Sequence, residues 1–321
     1  NLAKVGVASS NLVSRSRSRK PGQKWPGFFV SGPLTAAELQ YTGAVSVASQ
    51  ACMPMKIKAL YYYPVKSLAG IATNTLPLDR FGPVNDRRWM LVDEQGRFVT
   101  QRKYPALVQI KPAFSDDGQL VLDIPAQGIV TVTVGNRERQ VTVWRDQVAG
   151  VVEAGRDASG ALSEFLGSTV TLVYMPENVT RPARHDCLTK VHPVSFADGF
   201  PFLVTSQSSL DDLASRRPGY GDMRRFRPNV VVEGAPAWDE DQWRSIRLGE
   251  VSVDLVKPCS RCIMTTVDPD TGIRCPKGEP LKTLAGFRRT DDGVMFGVNG
   301  VHQSPGTLRV GDPVTLIASK E

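Results

Sequence analysis

Short runs of β-branched and aromatic residues recur between Met55 and about residue 175, and this pattern limits the fold more than any other feature of the chain. The runs have the length and composition of strands. They read KIKALYYYPV, RWMLVDE, LVQIKPAF, QLVLDI, IVTVTV and QVTVW. Turn-forming groups such as Asp116-Asp117-Gly118 and Gly135-Asn136 separate them. The first half of the chain is therefore predicted to consist mostly of strands.

The second half adds helices to further strands, which read NVVVEG, SIRL, VSVDLV, GVMFGV and VTLIAS. Helices are predicted over residues 158–167, with Ser159 at the start and Gly167 at the end, over 206–216 and over 279–288. Because strands and helices do not alternate regularly, a doubly wound parallel sheet is excluded. We predict a predominantly β fold with some helices (α+β), divided into two β-rich domains at 55–176 and 187–319.

The net charge of +7 is concentrated at one end of the 321-residue chain, because residues 1–54 carry +5 and the remainder only +2. The main part of the protein is thus nearly neutral, which argues against a nucleic-acid partner. Residues 1–54 also lack any sustained hydrophobic period. We expect this extension to be disordered, or non-native sequence upstream of a start at Met53 or Met55, with a targeting segment as the alternative.

The cysteine count and the hydropathy pattern bear on the compartment. Five cysteines are an odd number, which fits a reducing environment. No apolar run approaches the roughly 18 residues that a membrane-spanning helix needs. With no convincing signal peptide, the mature protein is expected in the cytoplasm and without a membrane partner.

The segment Cys259-Ser260-Arg261-Cys262 is ambiguous by spacing alone. A zinc site is disfavoured because no second ligand pair follows at suitable spacing. Thioredoxin-like chemistry is disfavoured because the following residues read as strand and turn. An exposed thiolate beside Arg261 and Lys257 remains, suited to a nucleophile or a soft-metal ligand. Structural cysteines explain the spacing about equally well.

Three further clusters carry cations and polar groups suited to an anion. Lys66 and Ser67 follow the first strand, Asp86-Arg87-Arg88 precedes the strand WMLVD, and the segment Arg225–Asn229 precedes NVVVEG. Each cluster alone is typical of a solvated surface. Together with the cysteine pair, they suggest a site that holds a phosphate-type anion and a soft metal.

Six motifs then resemble the MOSC family, in the family's order, from about Met55 to Ala318. They are YPVKSLAG, NDRRWMLVDEQGRFVTQRKYP, FADGFPFLVTSQSSLDDL, RFRPNVVVEG, CSRCIMTTVDPDTG and FG…SPGTLRVGDPV. The similarity is greatest to the amidoxime-reducing and YcbX-type branches. It implies two β-barrel-like domains, an N-terminal MOSC-associated barrel and the MOSC domain, with a molybdenum cofactor (Mo-molybdopterin) between them.

The resemblance also implies roles for individual residues. Cys262 would be the thiolate ligand of molybdenum, and Asp198 would be a catalytic carboxylate that orders water or passes a proton. Lys66, Ser67 and Arg87 would bind the phosphate of the cofactor. The further cofactor contacts would be Arg227, Asn229, Ser260, Arg261 and Asn299.

The function that this resemblance implies is reduction of small N-hydroxylated substrates: amidoximes, hydroxylamines and hydroxylaminopurines. The chain ends at Glu321 without the ferredoxin domain of many bacterial relatives, so electrons are expected from a separate ferredoxin, flavoprotein reductase or cytochrome b5-like protein. Pyridoxal phosphate binding is an expectation at the level of the family only. The alternative function is a molybdenum-cofactor carrier or a sulfur-transfer module without substrate turnover.

Overall fold

Strands dominate the computed structural model, which describes residues 54–320. They are β1 (Lys56–Tyr62), β2 (Ile71–Thr73), β3 (Thr75–Asp79), β4 (Gly82–Pro83), β5 (Trp89–Val92), β6 (Lys111–Phe114), β7 (Leu120–Ile124), β8 (Gly128–Thr131), β9 (Val134–Val143), β10 (Asp146–Ala154), β11 (Thr171–Tyr174), β12 (Phe202–Ser206), β13 (Val230–Glu233), β14 (Trp243–Leu248), β15 (Val251–Arg261), β16 (Arg289–Thr290), β17 (Gly293–His302), β18 (Gly306–Arg309) and β19 (Val314–Ser319). The α-helices are α1 (Arg156–Leu166), α2 (Gln207–Arg216) and α3 (Leu281–Ala285), and short 3₁₀ helices lie at Pro105–Gln109, Met223–Phe226, Asp239–Gln242 and Ile263–Thr266. The predicted predominantly β fold with some helices is confirmed.

The predicted N-terminal extension, residues 1–54, lies outside the described residues except for Pro54. Between residues 54 and 320, none of the helices combines the length and the apolar character that crossing a bilayer requires.

The largest sheet contains strands from both halves of the chain. Its order is β19-β14-β15-β17-β12-β13-β1-β2, and β16 pairs with β17. In this sheet β1 is antiparallel to β13, while β3 pairs with β18 in a separate three-stranded sheet, β18-β3-β4. Strand pairing therefore crosses between the two predicted domain ranges, 55–176 and 187–319, and those limits stay predictions.

Two smaller sheets belong to the first half of the chain, with the orders β5-β11-β10-β9 and β6-β7-β8. Helix α1 places Ala158 and Leu162 in one apolar cluster with residues of β7 and β11, including Leu122 and Leu172. Within residues 54–320, none of the four sheets closes on itself through strand pairing.

The ends of the helices follow local sequence signals in part. Gly167 ends α1 in the left-handed conformation, as predicted, because glycine has no Cβ that would clash there. Ser159 is not the N-cap, since α1 begins after Gly155; its hydroxyl instead accepts the Leu172 N–H at 3.1 Å. Helix α2 agrees with its prediction, whereas α3 is shorter than the predicted range 279–288.

Glu240 is a carboxyl group enclosed within the core beside α2. It is fully buried; one of its oxygens accepts a hydrogen bond from Ser209 Oγ at 2.7 Å, and the other has no partner among the described residues. Burial raises the pKa of Glu240 from 4.5 to about 7, because desolvation penalises the carboxylate. The folded protein therefore holds this proton more tightly than the unfolded chain does.

We expect Glu240→Gln to stabilise the protein at alkaline pH. The contribution of the raised pKa is fully present below about pH 4.5 and is lost as the pH rises through about 7. At pH 8 the variant should gain up to about 3 kcal/mol over the parent protein, and at pH 5 the two should differ much less. Thermal or urea unfolding at both pH values measures this, with the exposed Glu250→Gln as control. An equal difference at pH 5 and pH 8 would contradict the assignment.

Candidate functional site

One cleft of about 890 Å³, a volume that includes space open to solvent, brings the predicted site residues together. They come from separate segments: the loop after β1, the turn before β5, the segment before β12, the turn before β13, the end of β15 and the middle of β17. The residues are Lys66, Ser67, Arg87, Asp198, Arg227, Asn229, Ser260, Arg261, Cys262 and Asn299. Their shared location is observed, and their individual roles stay predictions.

Three of these residues have a left-handed backbone, which is costly for any residue with a Cβ. The φ angles are 71° at Ser67, 50° at Arg87 and 55° at Arg227. Backbone hydrogen bonds hold Arg87 on both sides, since its N–H donates to the Tyr63 carbonyl at 2.7 Å and its carbonyl accepts from Phe196 N–H at 2.9 Å. The surrounding fold therefore imposes these conformations at the cleft.

A buried carboxylate orients Arg87. Asp86 is 3% exposed and accepts from Arg87 Nη1 at 2.5 Å, from the Tyr63 N–H at 2.8 Å and from Asn229 Nδ2 at 3.2 Å. Arg87 Nη1 also donates to Asn229 Oδ1 at 3.2 Å. Asp86 and Asn229 together hold the guanidinium of Arg87 at the cleft wall.

The side chain of Asn229 is engaged by the protein itself. Besides Asp86 and Arg87, its amide donates to the Tyr61 carbonyl and accepts the Leu203 N–H, both at 3.2 Å. An asparagine side chain has two donors and one acceptor oxygen, so these contacts use its capacity. This geometry favours a positioning role for Asn229 over the direct cofactor contact that the resemblance implied.

Tyr63 brings two arginines together. The guanidinium carbons of Arg87 and Arg227 each lie 4.2 Å from the centroid of the Tyr63 ring. Tyr63 is buried and its hydroxyl donates to the Pro228 carbonyl at 3.0 Å. Burial lowers the pKa of Arg227 to about 10, which still leaves it cationic at neutral pH. Two like charges are thus held side by side, an arrangement that suits a polyanionic ligand.

Lys66 and Asp198 form a pair across the cleft. Lys66 is 6% exposed, and its Nζ donates to the Phe196 carbonyl at 2.7 Å and to the Asp198 carboxylate. Burial lowers the pKa of Lys66, although Asp198 opposes that shift. Desolvation would raise the pKa of Asp198, but the charge of Lys66, its hydrogen bond and the charge of Arg102 hold it below its ordinary value. Asp198 is therefore ionised at neutral pH, which makes it an acceptor and disfavours it as a proton donor.

The two cysteines of the C-x-x-C segment differ in their surroundings. Both line the cleft as free thiols, but Arg261 Nη1 donates to Cys259 Sγ at 3.0 Å. The arginine of this segment therefore contacts the thiol of Cys259. Cys259 and Arg261 are two positions apart on β15, so their side chains share a face of the strand, whereas Cys262 follows the end of the strand.

Cys262 lies at the start of a 3₁₀ turn, which bends the chain away from β15. Its carbonyl accepts from Thr265 N–H at 3.1 Å and from Thr265 Oγ1 at 3.0 Å. Within residues 54–320, no group of three or more His, Cys, Asp and Glu side chains gathers as a metal site. The protein alone therefore offers single thiols here and no complete ligand set for an ordinary metal ion.

The cleft also contains residues to which neither the sequence pattern nor the resemblance assigned an individual role. Arg102 and Arg225 also line it, as do Thr100 and Thr265. Arg225 is 8% exposed and donates to the Val267 carbonyl at 2.8 Å and to Asp268 at 2.7 Å. Arg225 belongs to the cluster 225–229 that the sequence already marked as suited to an anion, whereas Arg102 looks like an ordinary surface charge in the sequence.

The charge of the cleft is strongly one-sided. Asp198 is the single carboxylate among the described residues that line it. The cationic lining residues are Lys66, Arg87, Arg102, Arg225, Arg227 and Arg261. Such an excess of cations around two thiols is suited to a ligand that combines phosphate groups with a soft metal.

Comparison with known proteins identifies similar sequences over most of the chain. Residues 54–169 match the family model described as the MOSC N-terminal beta barrel domain, and residues 191–315 match the MOSC domain. The mitochondrial amidoxime-reducing component 1 of mouse is 34% identical over 81% of this chain and 82% of that protein. The human protein of the same name is 33% identical over 98% of this chain and 99% of its own length. The bovine mitochondrial amidoxime reducing component 2 is 31% identical over 97% and 98%, respectively.

Proposed function

The chain belongs to the MOSC family, and from this membership we propose that it is a molybdenum-cofactor-dependent reductase of N-hydroxylated compounds. Relatives that match 97–98% of the chain are named for the reduction of amidoximes. The proposed substrates are amidoximes, hydroxylamines and hydroxylaminopurines. The observation that carries the proposal is the convergence of two thiols and six cationic side chains on one cleft.

The donor set of the cleft fits both chemical ends of this cofactor. Clustered guanidinium and ammonium groups suit a phosphate, because arginine presents its N–H donors as a planar fork. A free thiol suits molybdenum, which prefers soft sulfur ligands. In addition, the Nε atoms of Arg225 and Arg261 are buried and have no hydrogen-bond partner among the described residues. These arginines keep donor capacity that the rest of the protein does not use.

We assign the groups of the cleft as follows. Cys262 is assigned as the thiolate ligand because the resemblance to the family implies this position, and Cys259 accepts a hydrogen bond from Arg261. Lys66, Ser67, Arg87 and Arg227 bind the phosphate end. The remaining contacts come from Ser260, Arg261 and Asn299, while Asn229 orients Arg87. When bound, the cofactor supplies the two-electron chemistry that reduces an N–O bond.

The protein itself binds and orients the substrate and controls how protons reach it. Reduction of an N–OH group consumes two electrons and two protons and releases water. Asp198, ionised and with a side chain 61% exposed, accepts a hydrogen bond from the substrate N–H or O–H, or from a water at the cleft mouth. Lys66 holds this carboxylate in place from the buried side. Protons then reach the substrate from solvent through water that Asp198 orders.

Electrons come from a separate redox protein, which we propose to be a ferredoxin, a flavoprotein reductase or a cytochrome b5-like protein. A cytoplasmic location stays a prediction, supported by the odd number of cysteines, which fits a reducing compartment.

The proposal is tested by turnover of a simple aromatic amidoxime. Protein with a measured full complement of molybdenum and pterin is expected to convert benzamidoxime to benzamidine when reduced viologen supplies electrons. Product is quantified by chromatography, and protein without molybdenum serves as the control. A fully loaded sample that binds the cofactor but turns over neither benzamidoxime nor a hydroxylamine would favour the carrier function instead.

A further inference from the structure

Trp144 occupies an unusual position at the rim of the cleft. It lies in the turn between β9 and β10, has a left-handed backbone with φ 57°, and is 46% exposed. Glycine or asparagine adopts this conformation at lower cost than a bulky aromatic residue. Neither burial nor turn geometry accounts for a tryptophan at this position.

The indole of Trp144 contacts groups that belong to the cleft. Its Nε1 donates to Asp198 Oδ1 at 3.3 Å, and its ring lies 5.0 Å from the ring of Phe98. The guanidinium carbon of Arg102 lies 4.8 Å from the indole centroid. Trp144 therefore supports Arg102, which lines the cleft directly.

Arg102 makes weaker contacts with the protein than Arg87 and Arg227 do. Its side chain is 30% exposed, and its ion pair with Asp198 Oδ2 spans 3.9 Å. In contrast, Arg87 and Arg227 donate short hydrogen bonds to buried protein groups. A guanidinium that is backed by an aromatic ring keeps its planar face available for stacking.

We propose that Arg102, supported by Trp144, is a platform that stacks against the planar aromatic part of the substrate. This inference rests on the proposed function and adds a substrate preference to it: aryl amidoximes over alkyl amidoximes. The reacting N–OH group then lies toward Asp198, which both platform residues contact. Trp144 is a positioning residue in this arrangement and takes no part in the chemistry.

The test compares benzamidoxime with acetamidoxime in Trp144→Ala, Trp144→Phe and the parent protein. We expect the aryl-to-alkyl ratio of kcat/KM to fall about tenfold in Trp144→Ala, because stacking on an aromatic-backed guanidinium is lost. Trp144→Phe keeps a ring beneath Arg102 and should hold the ratio within about twofold. The matched control is Arg145→Ala, an exposed neighbour in the same turn, which should leave the ratio unchanged.

A second measurement does not depend on turnover. Calorimetric titration of both amidoximes into the oxidised protein, without a reductant, should show an aryl preference in dissociation constant that Trp144→Ala removes. An unchanged ratio in Trp144→Ala, in kinetics and in binding, overturns the platform. Absence of turnover in the parent protein counts against the proposed function instead, and the binding ratio still decides the inference.

Discussion

Replacement of Cys262 by serine should abolish turnover, lowering kcat/KM for benzamidoxime by about a thousandfold or more. A serine hydroxyl is a hard and weakly acidic ligand, so it cannot replace a thiolate on a soft metal. The matched variant Cys259→Ser should retain activity within about tenfold. Its hydroxyl can still accept the hydrogen bond that Arg261 Nη1 donates to Cys259 Sγ. Steady-state kinetics with reduced viologen and molybdenum analysis of both variants measure this.

Cofactor content and activity, measured together in the two variants, distinguish the possible results. If Cys262→Ser keeps its pterin and loses activity, the thiol acts at the metal as assigned. The reverse pattern, with Cys259→Ser inactive and Cys262→Ser active, would show that Cys259 is the ligand and that Arg261 stabilises that thiolate. Full activity in both variants would contradict a protein thiolate ligand altogether.

Arg87→Met should destabilise the protein by about 3 kcal/mol and deplete its bound cofactor. Asp86 has a side chain only 2% exposed, and its salt-bridge partner is Arg87 at 2.5 Å. Removing that partner leaves a buried carboxylate with only neutral donors, the Tyr63 N–H and the Asn229 amide. Urea unfolding measures the loss in stability, and phosphorus or pterin analysis of the purified variant measures cofactor content.

Two further variants separate folding from binding in this prediction. The double variant Asp86→Asn/Arg87→Met removes the unpaired charge, so it should recover much of the stability while its cofactor content stays low. Arg87→Lys keeps a cation but loses the planar fork, so we expect an intermediate cofactor content. A loss below about 1 kcal/mol in Arg87→Met would mean that Asp86 is not held as a carboxylate by Arg87.

The sequence determines much of the local structure because local signals act over few residues. Strand runs such as KIKALYYYPV and VSVDLV form strands, and Gly167 ends a helix where its left-handed conformation is needed. The prediction of Ser159 as N-cap failed because the same hydroxyl has a long-range use, as acceptor for the start of β11. Single-residue signals of this kind are ambiguous whenever a tertiary partner competes for them.

The types of residue that line the cleft could be inferred from the sequence, because motifs carry cations, thiols and amides together. The contacts between these residues could not be inferred from the sequence. Lys66 pairs with Asp198, which is 132 positions away. The side chain of Asn229 accepts a hydrogen bond from Arg87, which is 142 positions away. Arg261 bonds to Cys259 and not to Cys262, because strand pleating determines which side chains share a face.

By itself the sequence determined the predominantly β character of the chain, its main turns and the chemistry available to a site. The tertiary structure alone decided that β1 pairs with β13, that distant loops converge on one cleft, and that Trp144 supports Arg102 at its rim. The physical reason is range: propensity and turn chemistry depend on neighbours in the chain, whereas strand register, burial and charge pairing depend on residues that only folding brings together.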